Sequence, residues 1–315
     1  MAGSEQRINR FGVQLQAQRT SWSAYIDAVH AVEALGFDSV WNFDHLLPFA
    51  GPVDEPCFET WTTLAAMAAK TSRIRLGALV NGVLYRDPAT LAKATVTTDY
   101  ISNGRLEFTL GAAWAEREFV AYGLPFPPVG ERMKRLDEAL DIVRALWTQP
   151  RTTYLGTYYH IEDAPCEPKP LQRPYPPITV GGGGRKTLHI AAKHADGWNG
   201  IGSPAYMAER IGILHEECRA IGRDPAAIEI SVHPNLALAP TYAAAETVAR
   251  TFCRNLQQDF EAERGEWLLG TPDDVRRQIQ AYIDVGVSHW IMAVGAPFDL
   301  DMLALFAREV MPAFR

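Results

Sequence analysis

Short apolar runs rich in β-branched and aromatic residues alternate along this chain with longer segments of helical period, and they do so eight times. Phe11–Leu15, Asp38–Phe43, Arg73–Val80, Arg105–Leu110, Pro177–Val180, Gly197–Ile201, Ile228–Leu238 and Trp290–Val294 read as strands. The first helical segment, Trp22–Leu35, places Tyr25, Ile26, Val29, Val32 and Leu35 near helical spacing and stops at Gly36. Phe58–Lys70, a helix beginning after Pro88 and ending before Gly104, the amphipathic Glu131–Trp147, a helix running to about Lys193, and Pro204–Ile221 follow. Ala243–Glu261 and Pro272–Val285 are two helical stretches between the seventh and eighth strands, and Leu300–Val310 is the last helix. Parallel strands need a crossover connection, most often a helix, so the alternation predicts an α/β fold with a parallel sheet. Eight units favour closure into a (β/α)8 TIM barrel over an open doubly wound sheet.

The rhythm breaks once. Thr148–Pro176 carries Pro150, Pro165, Pro168, Pro170, Pro174 and Pro176 with no helical period, and reads as an insertion before the fifth strand. Nothing in it resembles a linker, so residues 1–315 are expected to form one barrel domain. Hydrophobic residues make up 47% of the chain, enough for a large core. A formal charge of −7 argues against a nucleic-acid or anionic membrane partner. No apolar run reaches membrane-spanning length, and Met1–Arg10 lacks an apolar signal core. Cys57, Cys166, Cys218 and Cys253 are scattered with no Cys-x-x-Cys pair, which fits a reducing cytoplasm.

Barrel active sites form at the C-terminal ends of strands, and that rule selects the residues that matter. The run Gly181-Gly182-Gly183-Gly184 follows a strand and leads into a helix, with Arg185 and Lys186 next. Glycine lets backbone N–H groups approach a ligand closely, and a helix N-terminus carries partial positive charge. Together they predict a phosphate site. The run is not a Gly-x-Gly-x-x-Gly followed by a ribose-binding acid, so a dinucleotide fold is not indicated. His45 follows the second strand beside Asp44, where an imidazole can hand a proton to a reacting ring. Asp44 is a candidate to orient it. Glu59 reads as a first-turn acid favoured by the helix dipole, Glu116 and Glu118 as first-turn or surface acids, and Arg86-Asp87-Pro88 as a helix start. Trp114, after the fourth strand, is a candidate to wall off a planar ring. His189 and His194 are spaced poorly for sharing a metal, and no metal is expected.

These residues also carry a family likeness. Gly36–His45, Gly77–Pro88, Gly104-Arg105 through Trp114, and Gly181–Gly184 through Ala195-Asp196-Gly197-Trp198-Asn199 resemble, in order, the signatures of luciferase-like flavin and deazaflavin enzymes. Asp163–Pro170 is similar to the insertion of a subgroup that depends on coenzyme F420. The resemblance implies a barrel, often a homodimer, with a flavin-type ring in its mouth, beside Asp44 and His45. It implies a cis non-proline peptide within Leu79–Asn81, with Leu79, Val80, Asn81 and Trp114 around the ring and the phosphate on Gly182–Gly184. The usual glycine before Trp114 is Ala113 here. Related sugar-phosphate dehydrogenases carry a catalytic glutamate where this chain has Trp114, with Glu116 two residues on, so sugar-phosphate oxidation is not expected.

The expected activity is hydride transfer between coenzyme F420 and a small organic substrate. An FMN-dependent monooxygenase, fed reduced flavin by a reductase, is the alternative, and a non-catalytic flavin-binding protein is a third reading from another class. A basic rim groove made by Arg185, Lys186 and Lys193 would favour coenzyme F420, whose oligoglutamate tail FMN lacks.

Overall fold

The computed structural model describes residues 8–315; Met1–Arg7, most of the polar segment expected to lack a signal core, lie outside them. The chain begins β1 (Arg10–Leu15), α1 (Trp22–Ala34), β2 (Ser39–Asn42), α2 (Thr60–Lys70), β3 (Arg75–Ala78), α3 (Pro88–Ile101) and β4 (Leu106–Leu110). A short α4 (Glu116–Ala121) and the long α5 (Val129–Thr148) lead to a hairpin of β5 (Thr152–Leu155) and β6 (His160–Ala164). Then come β7 (Ile178–Gly181), α6 (Arg185–His194), β8 (Gly197–Gly200), α7 (Pro204–Ala220), β9 (Glu229–Val232) and β10 (Asn235–Leu238). The chain closes with α8 (Tyr242–Leu256), α9 (Phe260–Glu263), β11 (Trp267–Gly270), α10 (Pro272–Asp284), β12 (His289–Val294) and α11 (Leu300–Glu309).

Strands β1, β2, β3, β4, β7, β8, β9 and β12 pair in that order, all parallel, and β12 returns to β1 with Arg10 opposite His289 through Leu15 opposite Val294. This is a closed eight-stranded (β/α)8 barrel. The strands are covered on the outside by helices and filled on the inside by side chains, so β1, β2, β4 and β12 are buried almost throughout. On the helix side, α5 sets Leu136, Ala139, Leu140, Val143, Leu146 and Trp147 on one stripe against the sheet. Each large apolar side chain buried there stabilises the fold by about 1.5–3 kcal/mol.

The barrel interior is layered. At the N-terminal end, Arg10 and Arg75 hold the buried carboxylate of Glu107, and Arg10 also reaches Glu229. Above them the Trp41 indole donates to Ser39 Oγ, which lies 3.0 Å from His289 Nε2. Trp41, Leu79 and Ile291 then form an apolar plug. With the lower barrel filled this way, the chamber described below opens at the C-terminal mouth.

Three features depart from the sequence reading. The expected seventh strand, Ile228–Leu238, is two strands: Pro234 cannot donate to the ladder, and the chain leaves β9 there to form β10. β10 pairs with β11, an unanticipated strand outside the barrel ring, and touches β12 at Asn235 and Ala293. The insertion holds the antiparallel β5–β6 hairpin. Among the described residues no helix is long and apolar enough to cross a membrane.

Candidate active site

A cavity of about 580 Å³ opens at the C-terminal mouth of the barrel. On one side it meets the loop after β2, on another the glycine turn after β7. His45 and Gly181–Gly183 therefore share one chamber.

The imidazole of His45 is positioned by an acid that the sequence reading left on the surface. Glu118, on α4, is fully buried. Its Oε1 lies 2.6 Å from His45 Nδ1, and its Oε2 accepts from the Leu46 amide at 2.8 Å and from the Tyr85 hydroxyl at 2.9 Å. Burial alone would raise this carboxyl, but the bonds from His45, Leu46 and Tyr85 outweigh it and hold it below its ordinary value. An ionised Glu118 can only accept, so His45 Nδ1 is the donor and Nε2 is the nitrogen left to the cavity. Nothing near Glu118 in sequence marks it; its partner lies 73 residues away.

Asp44 does not orient His45. Its carboxylate accepts the Gly82 amide at 3.0 Å and is clamped by Arg86 Nη1 at 3.0 and 2.8 Å, while Arg86 also reaches Glu59. Asp44 thus ties the loop after β2 to the loop after β3. Glu59 caps α2, accepting from Trp61 and Thr62, and Asp87 caps α3 with Pro88 in its first turn.

The Leu79–Val80 peptide is cis. Gln14 Nε2 donates to the Leu79 carbonyl at 2.9 Å. Val80 projects between the ends of β4 and β7, and a Cβ on Gly111 or Gly181 would lie 2.8 or 2.6 Å from its methyl carbons. Two glycines at neighbouring strand ends make room for this bulge, and Leu79 and Val80 face the cavity. Asn81 does not: its amide nitrogen donates to the Thr109 carbonyl at 2.9 Å, pinning β4 from inside the barrel wall.

At the glycine turn, Gly182 has φ 125°, a conformation that favours glycine. Its N–H is taken by the Asn199 carbonyl at 3.1 Å and its carbonyl by the Trp198 indole at 2.9 Å. The amides offered to a ligand therefore begin at Gly183. Gly184 is the N-cap of α6, which has no side-chain cap, and the first helical bond runs from Leu188 to Gly184. Tyr206 packs over Gly183, where a Cβ would meet its hydroxyl at 2.3 Å. An uncapped helix start with glycine backbone at the cavity fits a phosphate group, and the Val80 bulge provides a flat backing for a planar ring.

Arg185 is turned away from this chamber. Its Nε donates to Glu217 at 2.9 Å, with Glu216 at 3.6 Å. Lys193 is held by Asp137 at 2.9 Å and Asp141 at 3.5 Å. The expected basic groove does not form from these two residues. Trp114 stands at the rim, 64% exposed, with its ring edge-on to His45 at 5.4 Å between centroids. Sequence reasoning also passed over Gln14, His233, Glu263 and Glu266, which line the cavity from the β1, β9 and α9 sides.

The closed barrel carries its chamber at the C-terminal mouth, where barrel enzymes place their active sites. Residues 8–267 match the luciferase-like monooxygenase family, and the chain belongs to it. A coenzyme F420-dependent glucose-6-phosphate dehydrogenase of Kineococcus radiotolerans is 28% identical over 97% of both chains. A coenzyme F420-dependent secondary alcohol dehydrogenase, solved with an F420–acetone adduct, superposes with a TM-score of 0.85 at 20% identity, over 98% of this chain and 99% of the other. A monooxygenase from Streptomyces bottropensis superposes with a TM-score of 0.80 at 26% identity, over 97% and 100%.

Proposed function

We propose that this protein is a coenzyme F420-dependent oxidoreductase that transfers a hydride between the deazaflavin and a small organic substrate. The observation that carries the reading is the chamber lined both by the glycine turn that leads into the uncapped α6 and by the Glu118-bound His45. Coenzyme F420, when bound, supplies the ring carbon that gives or takes the hydride. The amides from Gly183 onward hold its phosphate. Val80, seated between Gly111 and Gly181, backs the ring. His45, with Nδ1 fixed by Glu118, gives or takes the accompanying proton at Nε2. The apolar plug below and Trp114 at the rim keep water from the reacting atoms. The reading carries with it a cytoplasmic homodimer and a separate reductase that renews the cofactor.

The similarity to full-length F420-dependent relatives supports this cofactor. The pairing of Arg185 and Lys193 with acids leaves Lys186 alone of the three expected groove cations and keeps an FMN-dependent monooxygenase as the second reading. Titration of the purified apoprotein with coenzyme F420 and with FMN separates the two. Saturable F420 binding, with FMN at least about tenfold weaker, is the expected result. FMN binding without F420 binding, with oxygen consumed in the presence of reduced FMN, rejects the proposal.

A further inference from the structure

We propose that Phe49 and Trp114, the two accessible rings packed against His45, form the substrate wall of the chamber, and that they select an uncharged alcohol or carbonyl compound whose reacting carbon carries an aromatic ring. The inference rests on the proposed function in one respect: the reacting oxygen meets His45 at Nε2.

His45 is surrounded by rings. Its imidazole centroid lies 5.2 Å from that of Phe43, 5.7 Å from Phe49 and 5.4 Å from Trp114, edge-on or tilted in each case. Phe43 and Phe49 meet edge-to-face at 5.9 Å. All of these rings line the cavity, but Phe43 is buried, so the free ring surface beside His45 belongs to the half-buried Phe49 and the exposed Trp114. A substrate whose oxygen reaches Nε2 lays the group on its reacting carbon against these two rings. Aromatic rings favour offset and edge-to-face partners, and an aryl group there extends a pattern that Phe43, Phe49 and Trp114 already make.

Both rings are held from the backbone. The Phe49 amide donates to Gln18 Oε1 at 3.0 Å, and the Pro48 carbonyl before it accepts from Arg117. The Ala113 carbonyl accepts from Arg132 Nη1 at 2.6 Å, and the Trp114 carbonyl accepts the Glu116 amide at 2.9 Å. Trp114 is thus apolar surface presented at the cavity on an anchored backbone, which a ligand would cover.

The surroundings of His45 offer nothing to a charged group. Among the described residues that line the chamber there is no lysine or arginine. Glu118 already accepts from His45, Leu46 and Tyr85, and Asp44 is paired with Arg86. A carboxylate or phosphate at His45 meets no cation, and an ammonium group finds both of these carboxylates taken. With Nδ1–H given to Glu118, neutral Nε2 accepts a hydrogen bond, which an alcohol hydroxyl supplies.

The test uses four probes, benzyl alcohol, cyclohexylmethanol, benzoate and benzylamine, titrated calorimetrically into the purified chain with and without coenzyme F420. Cyclohexylmethanol carries at least as much apolar area as benzyl alcohol, so area alone predicts no aryl preference. Benzyl alcohol is expected to bind at least about fivefold more tightly than cyclohexylmethanol and at least about tenfold more tightly than either charged probe. Phe49→Leu and Trp114→Leu should each reduce the aryl preference, and the double variant should abolish it; Phe49→Leu should keep its F420 affinity. Cyclohexylmethanol or a charged probe binding as tightly as benzyl alcohol, no measurable benzyl alcohol binding in either state, or an aryl preference that survives both substitutions would overturn the inference. F420 failing to bind while the aryl preference persists defeats the proposed function and leaves this inference standing.

Discussion

His45 shows how little of a site one residue carries. Its position after a barrel strand makes it a candidate, but the group that makes it useful is Glu118, which fixes its ring and its tautomer. A glutamate in a Glu-Arg-Glu run at a helix start reads as solvated surface. Only the turn of α4 back over the loop after β2 buries it, and that turn is set by packing rather than by local pattern. Asp44 errs the other way: adjacency to His45 suggested a pair, whereas its side chain points to Arg86 and Gly82. We expect Glu118→Gln to lower turnover by about 10–100-fold while F420 affinity holds, measured by steady-state kinetics beside cofactor titration. Unchanged turnover would remove Glu118 from the positioning of His45. Arg86→Ala should loosen both loops that Asp44 ties. Losing this half-buried guanidinium leaves the buried Asp44 carboxylate uncompensated and is expected to destabilise by about 3–5 kcal/mol, read by denaturant unfolding.

At the level of elements, the barrel was readable because each strand and helix declares itself by period. What the pattern hid was where a strand breaks and what sits outside the ring. Pro234 divides β9 from β10, and β11 is four residues after a charged turn, too short to stand out. Those two elements carry α8 and α9 to the cavity, which is why Phe252, Glu263 and Glu266 could not be placed from the sequence. The glycine turn was legible, but its division of labour was not: Gly182 serves the fold through Asn199 and Trp198, and the free amides start one residue later. Gly182→Ala forces a side chain into a positive φ, and is expected to cost about 1–3 kcal/mol of stability and to weaken F420 binding. Full F420 affinity in that variant would detach the cofactor from this turn. The capping box of α10, Thr271 with Asp274, is a control outside the cavity lining. Thr271→Ala should cost about 1 kcal/mol and leave cofactor binding alone.

For the whole molecule, half-buried paired carboxylates set an acid limit. Burial raises Glu229, but His289 and Arg10 bring it down to about 2; Asp137 is likewise held at about 2, chiefly by His194. Both carboxyls are depressed in the fold, so their contribution is complete above pH 4.5 and is lost as pH falls from there toward 2. His233 acts in a higher window. Burial lowers it from 6.5 to about 4, so the unfolded chain binds the extra proton and stability falls as pH drops from 6.5 to 4. Urea unfolding across this range should show both slopes, and His233→Gln should flatten the upper one. An unchanged upper slope in that variant would place the titration elsewhere. The account as a whole stands or falls on where the cofactor sits. A crystal structure of the chain soaked with coenzyme F420 tests it directly. We predict the phosphate on the amides that begin at Gly183, with the deazaflavin ring lying against Val80 and its edge toward His45. Density for the phosphate away from the glycine turn, or a ring outside the barrel mouth, would contradict it.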